Sequence, residues 1–165
     1  MSVAANKIKA SPDSGFTPEF IETVRQVFEE KIVFNQVLGL KIKDLQPERV
    51  AVRVDMRPEL IGAYSHKRLH GGVISASLDA VGGLAVMTAI GARHLEESLE
   101  QILHRFHRVA TIDMRVDYLR PGVGEYFEIR AEVMRLGSRV ASTRMEFLGA
   151  DGKLLSTGAG AYIVA

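Results

Sequence analysis

The 165-residue chain has no cysteine and no tryptophan, and only 7% of it is aromatic. Without cysteine there is no disulfide frame, zinc–thiolate site, iron–sulfur cluster or thiol nucleophile. Neither sign of charge prevails, since 21 Lys+Arg stand against 20 Asp+Glu for a formal net charge of +1. No long-range field therefore steers the chain to nucleic acid, and no Lys/Arg block substitutes for one. At 47% hydrophobic and 25% charged residues it is too apolar and too balanced to stay disordered. The length suits one domain that buries most of its apolar surface. What remains is a soluble, compact and, by expectation, cytoplasmic protein.

Residues 1–16 mix Lys7, Lys9, Pro12 and Asp13 with small residues and lack the apolar stretch of a secretory signal. They read as a flexible lead-in to a single domain over residues 17–165. One run, Gly71 to Ala92, is long and apolar enough to raise the question of a membrane. Asp79 within it would cost about 2.5–3.5 kcal/mol near a bilayer centre. Gly71, Gly72, Gly82, Gly83 and Gly91 further weaken an isolated helix. A helix apolar on all sides is better read as one enclosed by its own protein.

Thr17-Pro18 predicts an N-cap and first helical position, with a helix running to about Leu38 on Phe20, Ile21, Val24, Val27, Phe28 and Ile32. Gly39 stops it. The period then changes to two: Leu40 and Ile42 alternate with lysines, and after Gln46-Pro47-Glu48 the residues Val50, Val52, Val54 and Met56 alternate with Arg53, Asp55 and Arg57. Arg57–Leu69 reads as a loop. Glu96–Arg108 reads as a polar surface helix, even a flap, because no wide apolar face is evident. Four more alternating runs follow, on Ile112–Tyr118, Phe127–Val133, Ala141–Phe147 and Leu155–Ile163, the last two joined by an Asp151-Gly152 turn. The inward phase of the last run is assigned to Leu155, Thr157, Ala159, Ala161 and Ile163. Six strands with one polar face and one apolar helix predict an α+β domain, an antiparallel sheet curved around that helix.

The chemically informative segment is Leu69-His70-Gly71-Gly72-Val73-Ile74, with Asp79 following. Two glycines at a helix start leave backbone N–H groups uncovered at the positive end of the helix dipole, where an oxyanion can be held. Asp79 is the sole ionisable group between Gly71 and Arg93, and its isolation suits a base. A tight turn and a buried structural carboxylate would leave the same pattern, so both readings stand on the residues alone. Gly71 and Asp79 lie eight positions apart, about 12 Å along a helix. One carbonyl cannot touch both in one chain. If both act on it, the second comes from a neighbouring subunit across a two-fold interface.

His-Gly-Gly with an Asp nine residues after the His resembles the signature of hotdog-fold acyl-CoA thioesterases of the PaaI type. The likeness extends through Leu78-Asp79, the run Thr111-Ile112-Asp113-Met114-Arg115-Val116-Asp117-Tyr118-Leu119-Arg120-Pro121-Gly122, Phe34-Asn35 before Leu38-Gly39, and Tyr162. These residues are similar to the YigI subgroup of medium- and long-chain acyl-CoA thioesterases, over roughly residues 20–165. The resemblance implies a hotdog fold, a six-stranded antiparallel sheet around a long central helix with an N-terminal helix before it. It also implies a homodimer, and leaves open a homotetramer. The implied substrate is an acyl-CoA thioester from fatty acid metabolism. No separate cofactor is implied, coenzyme A being part of the substrate. By the same resemblance, Asp79 is the catalytic carboxylate and Gly71 the oxyanion amide, with Gly72 adjoining.

His70 would orient this loop, touch the thioester or cap the helix. Many relatives place Asn or another polar donor six residues before that His. Here Tyr64 stands there, giving a hydroxyl to the leaving group or packing. Arg120, and Gly137-Ser138-Arg139, match places where relatives present basic groups and turns to the CoA phosphates; solvated surface arginines are the plainer reading. Val81, Leu84 and Val86 are candidates for the acyl wall or for core. His66 with His70, and His104 with His107, lack a third ligand, so no metal site is expected. Ser75 and Ser77 lack a nucleophile elbow and read as packing residues. A hydratase of the same fold would carry a His where Leu84 stands. A non-catalytic acyl-CoA-binding or sensing module is the alternative to an enzyme.

Overall fold

The computed structural model describes residues 8–10 and 14–164. Most of the predicted flexible lead-in, residues 1–7 and 11–13, lies outside them. The described parts are held: β1 (Lys9–Ala10) pairs in parallel with Asp44 and Leu45, and Phe16 stacks on Phe20 at 4.6 Å between ring centroids.

Thr17 caps α1 (Pro18–Gln26), its Oγ1 accepting the Phe20 N–H at 3.1 Å. The predicted single helix to Leu38 does not persist. It widens into a π-helical turn at Val27–Lys31, breaks at Ile32 with ψ 95°, and resumes as α2 (Val33–Leu38). Buried polar side chains hold the break. Asn35 Nδ2 donates to the Phe28 carbonyl at 2.9 Å, and the Glu29 carboxylate accepts from the Ile42 N–H at 2.8 Å and Lys41 Nζ at 2.9 Å. Gly39, at φ 73°, ends α2 in the left-handed conformation that glycine adopts without penalty.

β2 (Lys41–Leu45) and β3 (Arg49–Asp55) form the expected hairpin. The segment read as a loop contains a small antiparallel pair, β4 (Ile61–Ala63) and β5 (Arg68–Leu69), which leads into α3 (Gly71–Arg93). Strands of three and two residues carry no readable alternation. After α4 (Leu99–Phe106) come β6 (Ala110–Tyr118), β7 (Tyr126–Leu136), β8 (Val140–Gly149) and β9 (Leu154–Ile163). The main sheet runs β1-β2-β3-β7-β8-β9-β6, and its six strands beyond β1 pair antiparallel throughout.

α3 lies in the hollow of this sheet and packs on β3, β6, β7, β8 and β9. Ile74, Leu78, Val81, Leu84, Ala85 and Val86 are buried along it, against Val52, Phe127, Ile129, Met145 and Phe147 of the strands. Each of these side chains larger than alanine contributes about 1.5–3 kcal/mol by leaving water. α3 is thus the core helix of a folded domain, and the membrane reading of Gly71–Ala92 does not apply to it. Val81, Leu84 and Val86 are wholly buried, so they are core and form no accessible acyl wall.

Two further expectations are corrected. α4 is not a polar flap, since Ile102 and Phe106 are buried, Leu99 and Leu103 pack on the core, and Phe106 meets Phe20 edge-on at 6.4 Å. β9 has the opposite phase beyond Leu155, which is buried as expected: Ser156, Gly158, Gly160 and Tyr162 face inward, whereas Ala159 and Ile163 face out. The inward glycines let α3 approach, because a Cβ on Gly158 would stand 3.1 Å from Met145 and 3.5 Å from Leu78. Close approach overrides the ordinary rule that the larger apolar residues mark the core face.

Candidate active site

α3 begins at Gly71, and His70 is its N-cap. The His70 backbone N–H donates to the Leu60 carbonyl at 2.9 Å and Leu69 N–H to the Gly122 carbonyl at 2.9 Å, so the helix tip is anchored from two sides. His70 Nδ1 accepts the Gly72 N–H at 2.9 Å. That bond requires Nδ1 to be unprotonated and leaves the proton on Nε2. His70 therefore acts as a cap, and the Gly72 amide is already occupied. The Gly71 N–H, in contrast, meets no acceptor among the described residues. Of the two amides expected at the oxyanion position, one is free. Replacing His70 by Ala should cost about 1 kcal/mol through the lost cap, read as a lower thermal midpoint.

Asp79 lies two turns further along α3 and is half-buried. Thr111 Oγ1, at the start of β6, donates to its Oδ1 at 2.8 Å. The Tyr162 hydroxyl on β9 lies 3.1 Å from the Asp79 carbonyl and 3.4 Å from the same Oδ1. At the other end of β6, the Tyr118 hydroxyl donates to the Gly71 carbonyl at 3.1 Å. The two halves of the candidate site are thus attached to the two ends of one strand. Thr111 and Tyr118 were not singled out as site residues from sequence, where they appear as ordinary members of an alternating run.

Tyr64 sits on a short helical turn, Tyr64–His66, and is 91% exposed, touching neither Gly71 nor Asp79 by any hydrogen bond. Arg120, just past β6, donates through Nη1 to the Leu154 carbonyl at 2.8 Å. Gly137, Ser138 and Arg139 form the β7–β8 turn, closed by the Gly137 N–H on the Val140 carbonyl at 3.0 Å. This turn adjoins the far end of α3, where Arg93 Nη2 donates to the Leu136 carbonyl at 2.7 Å. Within one chain, the two sets of candidate phosphate ligands are not brought together.

His66 and His70 have separate neighbours. His66 Nδ1 is 2.7 Å from Ser65 Oγ, and His70 is committed to Gly72. His94 lies 3.2 Å from Glu97, but Glu97 is held by Arg105 through two bonds of 2.8 and 2.5 Å. The guanidinium accordingly keeps the Glu97 carboxyl below its ordinary range.

A long central helix wrapped by a six-stranded antiparallel sheet, with an N-terminal helix before it, is the hotdog fold. The model of the thioesterase superfamily matches residues 66–156, more than half of the chain, which belongs to that family and is a thioester hydrolase by membership. The chain is 32% identical over 144 residues to the medium/long-chain acyl-CoA thioesterase YigI of Escherichia coli, covering 87% of this chain and 93% of that protein. A crystal structure from Shewanella oneidensis, described as related to the thioesterase superfamily, superposes with a TM-score of 0.84 at 40% identity over 89% of this chain and 96% of that one. The phenylacetic acid degradation protein PaaI of Thermus thermophilus superposes at 0.63 with 27% identity, covering 81% of this chain and 99% of that one.

Proposed function

We propose that the protein hydrolyses acyl-CoA thioesters of medium to long chain, as a homodimer with a composite site at each end of its interface. The observation that carries this reading is the placement of Gly71 and Asp79 against opposite ends of β6. That strand is the last in the sheet, and its outer edge has no neighbour among the described strands. Ile112 and Tyr118 on it, and Leu119 just beyond, are at least half exposed. Bare strand edges with apolar side chains call for a partner.

A second copy paired antiparallel about the middle of β6 sets the Tyr118 end of one chain beside the Thr111 end of the other. The Gly71 amide of one subunit then faces Asp79 of its partner, as the spacing along the helix requires. The same operation addresses the phosphate ligands. Ile163 pairs with both Ala110 and Val140, so the Gly137–Arg139 turn sits near the Thr111 end of β6. In the dimer that end approaches the Arg120 end of the partner strand, giving both arginines access to one phosphate group.

In the reaction, the Gly71 N–H receives the thioester carbonyl oxygen and stabilises the charge that develops there. Asp79 of the other subunit accepts a proton from a water as the water oxygen bonds to the carbonyl carbon. The tetrahedral adduct collapses with cleavage of the C–S bond, and the CoA thiolate takes up the proton held by Asp79. The products are a free acid and CoA, and no cofactor enters. Direct attack by the carboxylate, with hydrolysis of the resulting anhydride, uses the same groups.

Thiol release measured over a panel of saturated acyl-CoAs tests this reading. Release that rises toward medium and long chains, by a protein running as a dimer in size-exclusion chromatography, is the expected result. Tight acyl-CoA binding without release would instead make the protein a sensor.

A further inference from the structure

Tyr162 heads the fully buried side chains by size, at 1% exposure on β9. Its seat is built by omission. A Cβ on Gly82 of α3 would stand 2.2 Å from the phenol oxygen and 2.7 Å from Met145 Sδ, and a Cβ on Gly160 would stand 2.9 Å from the phenol ring. Glycine at both positions admits a ring that lies against α3 and ends at Asp79. The phenol has one proton to donate, and its acceptors are the Asp79 carbonyl at 3.1 Å, Asp79 Oδ1 at 3.4 Å and, more distantly, Met145 Sδ at 3.9 Å. Thr111 Oγ1 supplies Oδ1 with a second donor at 2.8 Å. No donor among the described residues reaches Oδ2.

We propose that Tyr162 is a positioning residue for catalysis: with Thr111 it immobilises Asp79 by engaging Oδ1 alone, leaving Oδ2 to take the proton of the attacking water. The inference rests on the reading of Asp79 as the group that activates water. Burial and the Asp79 charge both raise the phenol pKa, so the hydroxyl keeps its proton across the working range. Among the described residues, Asp79 is the one charged group whose field reaches the phenol; Thr143 and Met145 of β8 are its neutral neighbours.

Tyr162→Phe keeps the ring and removes the donor. In the full-length protein its kcat should fall about tenfold to a hundredfold, the loss that slight misplacement of a reacting group brings, with KM nearly unchanged. The acidic limb of the kcat/KM profile should move to higher pH, because a carboxylate that loses a donor is harder to keep ionised. Met145→Leu alters the same pocket without touching either bond to Asp79, and should keep both the parental kcat and the parental limb. Incorporating 3-fluorotyrosine at position 162 preserves the shape while strengthening the donor, so the limb should move to lower pH. Parental kcat and limb in Tyr162→Phe, or a limb that fluorination leaves in place, overturns the positioning role when Asp79→Ala is inactive. An active Asp79→Ala overturns the reading of Asp79 itself.

Discussion

Asp79→Ala should leave a folded dimer whose turnover of saturated acyl-CoA is lower by about two to four orders of magnitude, the range that a positioned general base supplies. Folding survives because little of the architecture depends on this carboxylate. It is half-buried, and truncation removes the 2.8 Å bond from Thr111 and the longer one from Tyr162. The 3.1 Å bond from the Tyr162 hydroxyl to the Asp79 main-chain carbonyl remains, so β9 stays fastened to α3. Circular dichroism and gel filtration should therefore match the parent while thiol release collapses. Parental turnover would remove Asp79 from the mechanism.

Gly71→Pro should reduce turnover about a hundredfold to a thousandfold, the cost of losing one oxyanion donor. Proline suits the first helical position, where its missing N–H breaks no bond of the helix and its φ is already helical. His70 is extended at φ −67° and ψ 136°, the conformation a residue before proline prefers. The side-chain space is adequate, since a Cβ at Gly71 would lie 3.4 Å from Tyr118. The substitution thus deletes the free amide while sparing the cap made by His70 and Gly72. Mixing and refolding this variant with Asp79→Ala tests the shared site. Half of the resulting dimers pair an intact Gly71 with an intact Asp79 at one of two sites, so roughly a quarter of parental activity should return. No recovery would place both groups in the service of separate carbonyls.

The sequence made the frame of this protein readable wherever a residue's neighbours in the chain decide its environment. Thr17-Pro18, Gly39, the hairpin at Gln46-Pro47-Glu48 and the turn at Asp151-Gly152 act locally, and each appears where expected. The apolar helix bearing Asp79 was legible because an isolated charge in so apolar a run stands out. Legibility failed where distant residues decide. The phase of β9 follows from the closeness of α3, which only its packing partners reveal. The break at Ile32 depends on Glu29 reaching the backbone of Ile42, thirteen positions away. α4 is a different case, because Leu99, Ile102, Leu103 and Phe106 are half of its eight residues and fall at the i, i+3, i+4, i+7 spacing of one apolar face.

The site shows the same division. The paired glycines and Asp79 could be named from their spacing, but which glycine amide stays free could not. That depends on the rotamer by which His70 caps Gly72. Thr111 lies 32 positions from the carboxylate it serves, and its hydroxyl differs in no local respect from those of other strand residues. Arg120 and Arg139 lie at opposite ends of β9, and only the second subunit of the proposed dimer would relate them.

A newly made chain leaves the ribosome with the rim of β6 uncapped, its amides and carbonyls open to whatever strand arrives first. Asp113, Arg115 and Asp117 line that rim with charges of alternating sign, with Arg115 held to Asp117 at 3.0 Å. Such charges repel indiscriminate stacking while tolerating a mate whose pattern answers their own. The strand that joins the two halves of the site in the proposed dimer is therefore also the edge at which assembly would compete with aggregation.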